Sequence, residues 1–197
     1  MKSKFLVILL LFVIPGLLNS SFAQNKQKAA NIEKIVWFGV DFTAVKFTLV
    51  TDDPVKIVNQ YLSSINTVIL IEPEKYNIKQ YFNKAEVVNS IETAVESNLK
   101  INPSGLVVTS EYKLDPGEIK NIIQKYNSKD NNGTGLVFIA ENLSKVSLSG
   151  SYYVCFFDIA TKEIIDSRRM VGAVGGFGFR NYWASTIFNI MKVWSLQ

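Results

Sequence analysis

Leu136-Val137-Phe138-Ile139-Ala140 is a run of apolar residues with no polar face. A strand of this kind has to be covered on both sides, so it reads as the central strand of a sheet with further layers packed on it. Downstream, Val146, Leu148, Tyr152, Val154 and Phe156 alternate with Ser147, Ser149, Ser151, Tyr153, Cys155 and Phe157. That period of two predicts a long strand, polar-faced at its beginning and apolar on both sides at its end. Asp158 to Lys162 reads as a hairpin connection into a strand over 163–171. A glycine-rich segment then leads into a helix, with Trp183, Ile187, Ile190, Met191 and Trp194 on one face and Ser185, Asn189 and Lys192 on the other. The carboxyl-terminal third is therefore expected to be an antiparallel meander closed by an amphipathic helix.

Upstream, Ile35 to Val40 reads as a first buried strand, and Phe42 to Val50 as its extension or a second strand. Asp53-Pro54 marks a helix start, because Asp can cap free backbone N–H groups and Pro fits the first helical position. Val55, Val58, Tyr61, Leu62 and Ile65 follow at helical spacing. Thr67 to Ile71 is short, apolar and largely β-branched, which predicts a strand. Val88, Ile91, Val95 and Leu99 predict an amphipathic helix over 86–99. Asn102-Pro103-Ser104-Gly105 is a turn, and Leu106-Val107-Val108 reads as a strand. Asp115-Pro116-Gly117-Glu118 repeats the helix-start signal ahead of the stripe Ile119, Ile122, Ile123 and Tyr126. The fold class expected is α+β or α/β: a single mixed sheet with helices packed on it.

The amino terminus has the three parts of a secretion signal. Lys2 and Lys4 are positive, Phe5 to Ile14 is unbroken apolar, and Ser21-Phe22-Ala23 places small residues ahead of a cleavage point before Gln24. A spanning helix needs about 20 apolar residues; this run is shorter and is broken at Pro15. The expected organisation is a signal over 1–23, a flexible lead-in over 24–33 and one domain over 34–197. The mature chain is expected to be exported, periplasmic or extracellular, with no transmembrane anchor after cleavage.

Composition narrows the chemistry. The 197-residue chain has no histidine, which excludes Ser-His-Asp and Cys-His catalysis and HExxH zinc sites within it. Its one cysteine, Cys155, sits in an apolar run and is expected to be buried and reduced. Losing the two signal lysines lowers the net charge from +4 to +2, which is too little for a nucleic-acid-binding face. No cofactor or metal motif is present. Arginine occurs only at Arg168, Arg169 and Arg180.

Two constellations invite chemistry. In the first, Gly175, Gly176, Gly178, Arg180 and Asn181 lie between a strand and a helix, flanked by Phe177, Phe179, Tyr182 and Trp183. The spacing is neither GxGxxG nor GxxxxGK[ST], so a nucleotide loop lacks its pattern. One reading is a bulged connection whose glycines make room for aromatic packing; the other is a surface loop that binds a protein or small anionic group, anchored by Arg180. An internal carboxylate such as Asp166 or Asp158 would make Arg180 structural; an external one would make it functional. In the second constellation, Asp41, Glu141 and Asp158 stand at predicted strand ends. They would support a carboxylate hydrolase if they converge, and are otherwise capping and turn residues. Asn132-Gly133-Thr134 and Asn142-Leu143-Ser144 match the glycosylation sequon.

The order of elements over Ile35 to Trp194, ending in the Asp158–Lys162 hairpin and a closing helix, resembles small α/β domains of the bacterial envelope. The TolB amino-terminal domain and the lipoprotein activators of penicillin-binding proteins are examples; this chain departs from the latter in lacking a lipid-anchor cysteine. The resemblance implies a non-catalytic envelope domain that binds another protein, and carries over no functional residues. The alternative is a secreted hydrolase using paired carboxylates.

Overall fold

The computed structural model describes residue 29 and residues 31–129 and 132–196. The export signal expected over 1–23, and most of the lead-in, lie outside the described residues.

The strands are β1 (Lys34–Asp41), β2 (Lys46–Thr48), β3 (Glu86–Asn89), β4 (Val107–Val108), β5 (Thr134–Ser144), β6 (Ser149–Asp158) and β7 (Ile164–Ala173). The helices are α1 (Pro54–Lys56), which runs through a π-helical segment, Ile57–Tyr61, into α2 (Leu62–Ile71), then α3 (Ile78–Tyr81), α4 (Glu92–Asn98), α5 (Pro116–Ile123) and α6 (Gly178–Trp194). All seven strands form one mixed sheet.

The apolar run is central, as its composition demands. β6 pairs antiparallel with β5 from Thr134 to Ser144. On the other edge, β1 pairs parallel with the first half of β5 and β2 with its last three residues. β1 and β2 are thus one strand position split by a turn at residues 42–45. β3 lies outside β1 and β4 outside β2, both parallel. β7 pairs with β6 and completes the meander.

Side chains alternate between two cores. On one face, Trp37, Val40, Leu136, Phe138, Ala140, Tyr152, Val154 and Phe156 pack with α2 and α6. On the other, Phe38, Val137, Ile139, Cys155 and Phe157 pack with Ile119, Ile123 and Tyr126 of α5 and the turn after it. Cys155 is fully buried, and burial pushes its thiol up to about 12 despite the Ser167 hydroxyl 3.2 Å away.

Local signals explain the helix starts. Asp53 accepts from the Val55 N–H and Asp115 from the Gly117 N–H, each ahead of proline. α6 buries Trp183, Ile187, Ile190 and Met191 against the sheet, with Trp194 half-buried. It sits close to β7 because residue 172 is glycine: a Cβ there would stand 2.0 Å from the Thr186 carbonyl oxygen.

Three expectations need correction. Residues 67–71 continue α2 as helix; burial of Ile65, Val68 and Ile69 at helical spacing outweighs the β-branched composition. Residues 86–99 divide into β3 and α4. Val88 and Leu99, which would have faced a core, are exposed, and the buried residues of α4 are Ala94 and Asn98. Val146 and Leu148 occupy the β5–β6 turn and are exposed. Among the described residues, no helix is long and apolar enough to cross a membrane.

Candidate functional site

The glycine segment leaves β7 at Ala173, beside Ser149 and hence beside the last residue of β5, Ser144. It therefore stands where the parallel strands end at their carboxyl termini, a common location for sites in α/β sheets. Gly176 and Gly178 have φ of +79° and +75°, so the turn needs residues without a Cβ. Their contortion splits the neighbouring aromatics. The Phe179 ring stacks on Tyr61 at 4.5 Å and touches Phe47, and Trp183 is fully buried. Phe177, at the apex, is 95% exposed. The aromatic-packing reading thus describes Phe179 and Trp183 but not Phe177.

Arg180 is exposed, and its Nε donates to the Asn181 side-chain oxygen at 3.0 Å. Neither internal partner considered for it is available. Asp166 is engaged by Arg168 at 2.6 Å. Asp158 lies at the opposite end of β6, about 30 Å from Ser149 at strand rise. Among the described residues Arg180 makes no ion pair. Gly175 is half-buried beside Ser185, and Asn181 is half-buried beneath Gly176.

Backbone hydrogen bonds join this loop to its neighbours. Val174 N–H donates to the Leu148 carbonyl, and Lys145 N–H to that of Thr48, which precedes Leu49. Leu49, Val146, Leu148 and Phe177 are all exposed at this end of the sheet. Leu49 and Leu148 have φ of +51° and +49°, a left-handed conformation that costs a residue with a Cβ about 1–2 kcal/mol. Such strain collects at functional surfaces. The Lys145 ammonium sits 3.6 Å from the Tyr182 ring centre, placing a second cation against the first turns of α6.

The three acids do not form one site. Asp41 pairs with Ile139 and Asp158 with Thr134 along β5, which separates them by about 17 Å at strand rise. Asp158 closes its own turn, accepting from the Thr161 N–H and hydroxyl; those bonds, the backbone one foremost, hold its carboxyl below the ordinary range. Asp41 and Glu141 do share the α5 face, but each is taken. Asp41 is fully buried, with Lys125 at 2.6 Å, the Tyr126 hydroxyl at 2.5 Å and the Thr43 hydroxyl and N–H. Burial, reinforced by the Asp41 charge, raises Tyr126 well above the ordinary tyrosine value. Glu141 takes the Arg169 guanidinium at 2.6 Å on one oxygen and the Leu114 N–H at 3.1 Å on the other. Among the described residues, no cluster of three acids or thiols could hold a metal. The Asn142 sequon side chain is buried, bonded to Thr48 and Glu111.

The sequence gives no sign of a third feature. Lys84 and Arg168 face a 270 Å³ hollow between α3, β6, β7 and the end of α6, walled by Tyr81, Phe82, Phe156 and Trp194. Its lining comes from five separated stretches of chain, so no local pattern announces it.

The chain matches no protein-family model, no curated protein and no solved structure.

Proposed function

We propose that this chain is an exported, non-catalytic binding module that contacts another envelope protein through the end of the sheet carrying residues 172–181. The observation that carries this reading is Phe177, a phenylalanine 95% exposed at the apex of a glycine turn. Leaving a large aromatic in water forgoes about 1.5–3 kcal/mol of burial, and nearby Phe179 shows that the same turn can pack a ring against the core. Leu49, Val146 and Leu148 extend the apolar surface, and Arg180 and Lys145 border it with positive charge. The partner that fits is a protein with an apolar socket for Phe177 and a carboxylate for the planar Arg180 fork. Carboxylate hydrolysis has less support, because Asp41 and Glu141 are saturated by internal partners and Asp158 lies apart.

A photo-crosslinking residue placed at Phe177 in the full chain tests this directly, with the same residue at exposed Lys120 on α5 as the comparison. The expected result is a discrete crosslinked protein from position 177 only, weakened by Arg180→Lys. No crosslink at 177, or the same product from both positions, would overturn the proposal.

A further inference from the structure

Lys84 is only 5% exposed, yet no carboxylate neutralises its ammonium among the described residues. It donates one hydrogen bond, to the Ala29 carbonyl at 2.8 Å. An ammonium has three N–H donors, so two remain to be satisfied. Burial alone lowers its pKa. A buried cation with no counter-charge is costly and is ordinarily paired.

The surroundings explain what would pair with it. Lys84 borders the 270 Å³ hollow on the α6 face of the sheet, at the end away from the glycine loop. Its Nζ lies 5.6 Å from the centre of the Phe156 ring. Across the hollow, the Arg168 guanidinium is 4.2 Å from the Trp194 ring centre and is bonded to Asp166. Arg168 thus has its carboxylate and Lys84 does not, leaving one positive charge to be matched. Phe82 and Trp194 close the walls with rings 5.1 Å apart. The volume is near the lower end of small-molecule sites, about 300 Å³.

We infer that this hollow binds a small monocarboxylate with an apolar body, its head group on Lys84 and its body against Phe82, Phe156 and Trp194. A monoanion matches the single unpaired charge; the aromatic walls favour an apolar body over a second charged group. The inference is independent of the partner surface proposed above, which lies at the other end of the sheet.

The test uses matched acid and alcohol pairs, phenylacetate with 2-phenylethanol and octanoate with octanol, titrated calorimetrically into the full mature chain. A charge-assisted hydrogen bond contributes about 1.5–3 kcal/mol, so an acid should bind at least about tenfold more tightly than its alcohol. Lys84→Met, which keeps the apolar stem, should erase that preference. Preference within the phenyl pair, the octyl pair or both supports the site and defines the body it accepts. Equal affinity of acid and alcohol in both pairs, or no saturable acid binding at millimolar concentration, would overturn it. So would an acid preference that survives in a folded Lys84→Met protein. The wild-type comparison stands even if that variant fails to fold.

Discussion

Arg169→Met is the substitution whose consequence is best defined by the geometry. The Glu141 side chain is 1% exposed, and the Arg169 Nε and Nη2 atoms lie 2.7 and 2.6 Å from one of its oxygens. Met keeps an apolar stem but removes both donors, leaving the carboxylate with the Leu114 N–H alone. Breaking a buried pair by deleting one member costs about 3–5 kcal/mol. Arg169 is itself 40% exposed, so water can reach part of the vacated space, and the expected loss is about 3 kcal/mol. With a urea m-value of about 2 kcal/mol/M, the unfolding midpoint should fall by about 1.5 M. Adding Glu141→Gln removes the stranded charge while keeping an acceptor for Leu114, so the double variant should recover at least half of the loss. If Arg169→Met stays within about 0.5 kcal/mol of wild type, the range of an ordinary surface change, Glu141 is not held as a buried ion. If the double variant is no better than the single, the loss comes from packing rather than charge.

Packing and burial elsewhere in the molecule set further expected outcomes. Trp183→Ala should cost about 3–5 kcal/mol, the range for a buried aromatic; an unchanged urea midpoint would mean that α6 does not hold the sheet as described. Gly172→Ala should cost about 3 kcal/mol, the upper end of overpacking, because the new methyl meets the Thr186 backbone, and a near-neutral result would place α6 farther from β7. Alkaline pH should destabilise the chain. The folded Cys155 thiol keeps its proton towards about 12 against an ordinary 9.0, so its contribution is complete below the lower value and is lost as pH rises towards the upper one. Each such group adds a slope of about 1.4 kcal/mol per pH unit, and Tyr126 and Tyr152 act in the same direction from their own range upward. Cys155→Ala should flatten that slope by one group's share when urea midpoints are compared across this range, and an unchanged slope would refute the assignment.

What could be read from the sequence divides by the range of the interactions responsible. Asp53-Pro54 and Asp115-Pro116 were legible because a cap acts within one turn, on N–H groups two residues away. The central strand was legible because five apolar residues in a row can be buried only between two layers. The 86–99 segment misled because Val88, Ile91, Val95 and Leu99 reproduce a helical spacing across a strand, a turn and a short helix. Asn98 ends α4 buried, accepting from Phe42 N–H and donating to the Val40 carbonyl where β1 turns toward β2. Asn66 of α2 bonds both backbone groups of Val40 from the other side. Neither asparagine could be distinguished in sequence from an exposed one, since its partner lies 26 or more residues away. The same limit governs the two candidate sites. The glycine loop was visible because its conformational demand is local, whereas the outward direction of Phe177 is decided by the folded turn. Lys84 looks like any surface lysine until β6, β7 and the end of α6 enclose it. A charge acquires meaning from what surrounds it, so a site made of separated stretches appears only once the chain has been brought together.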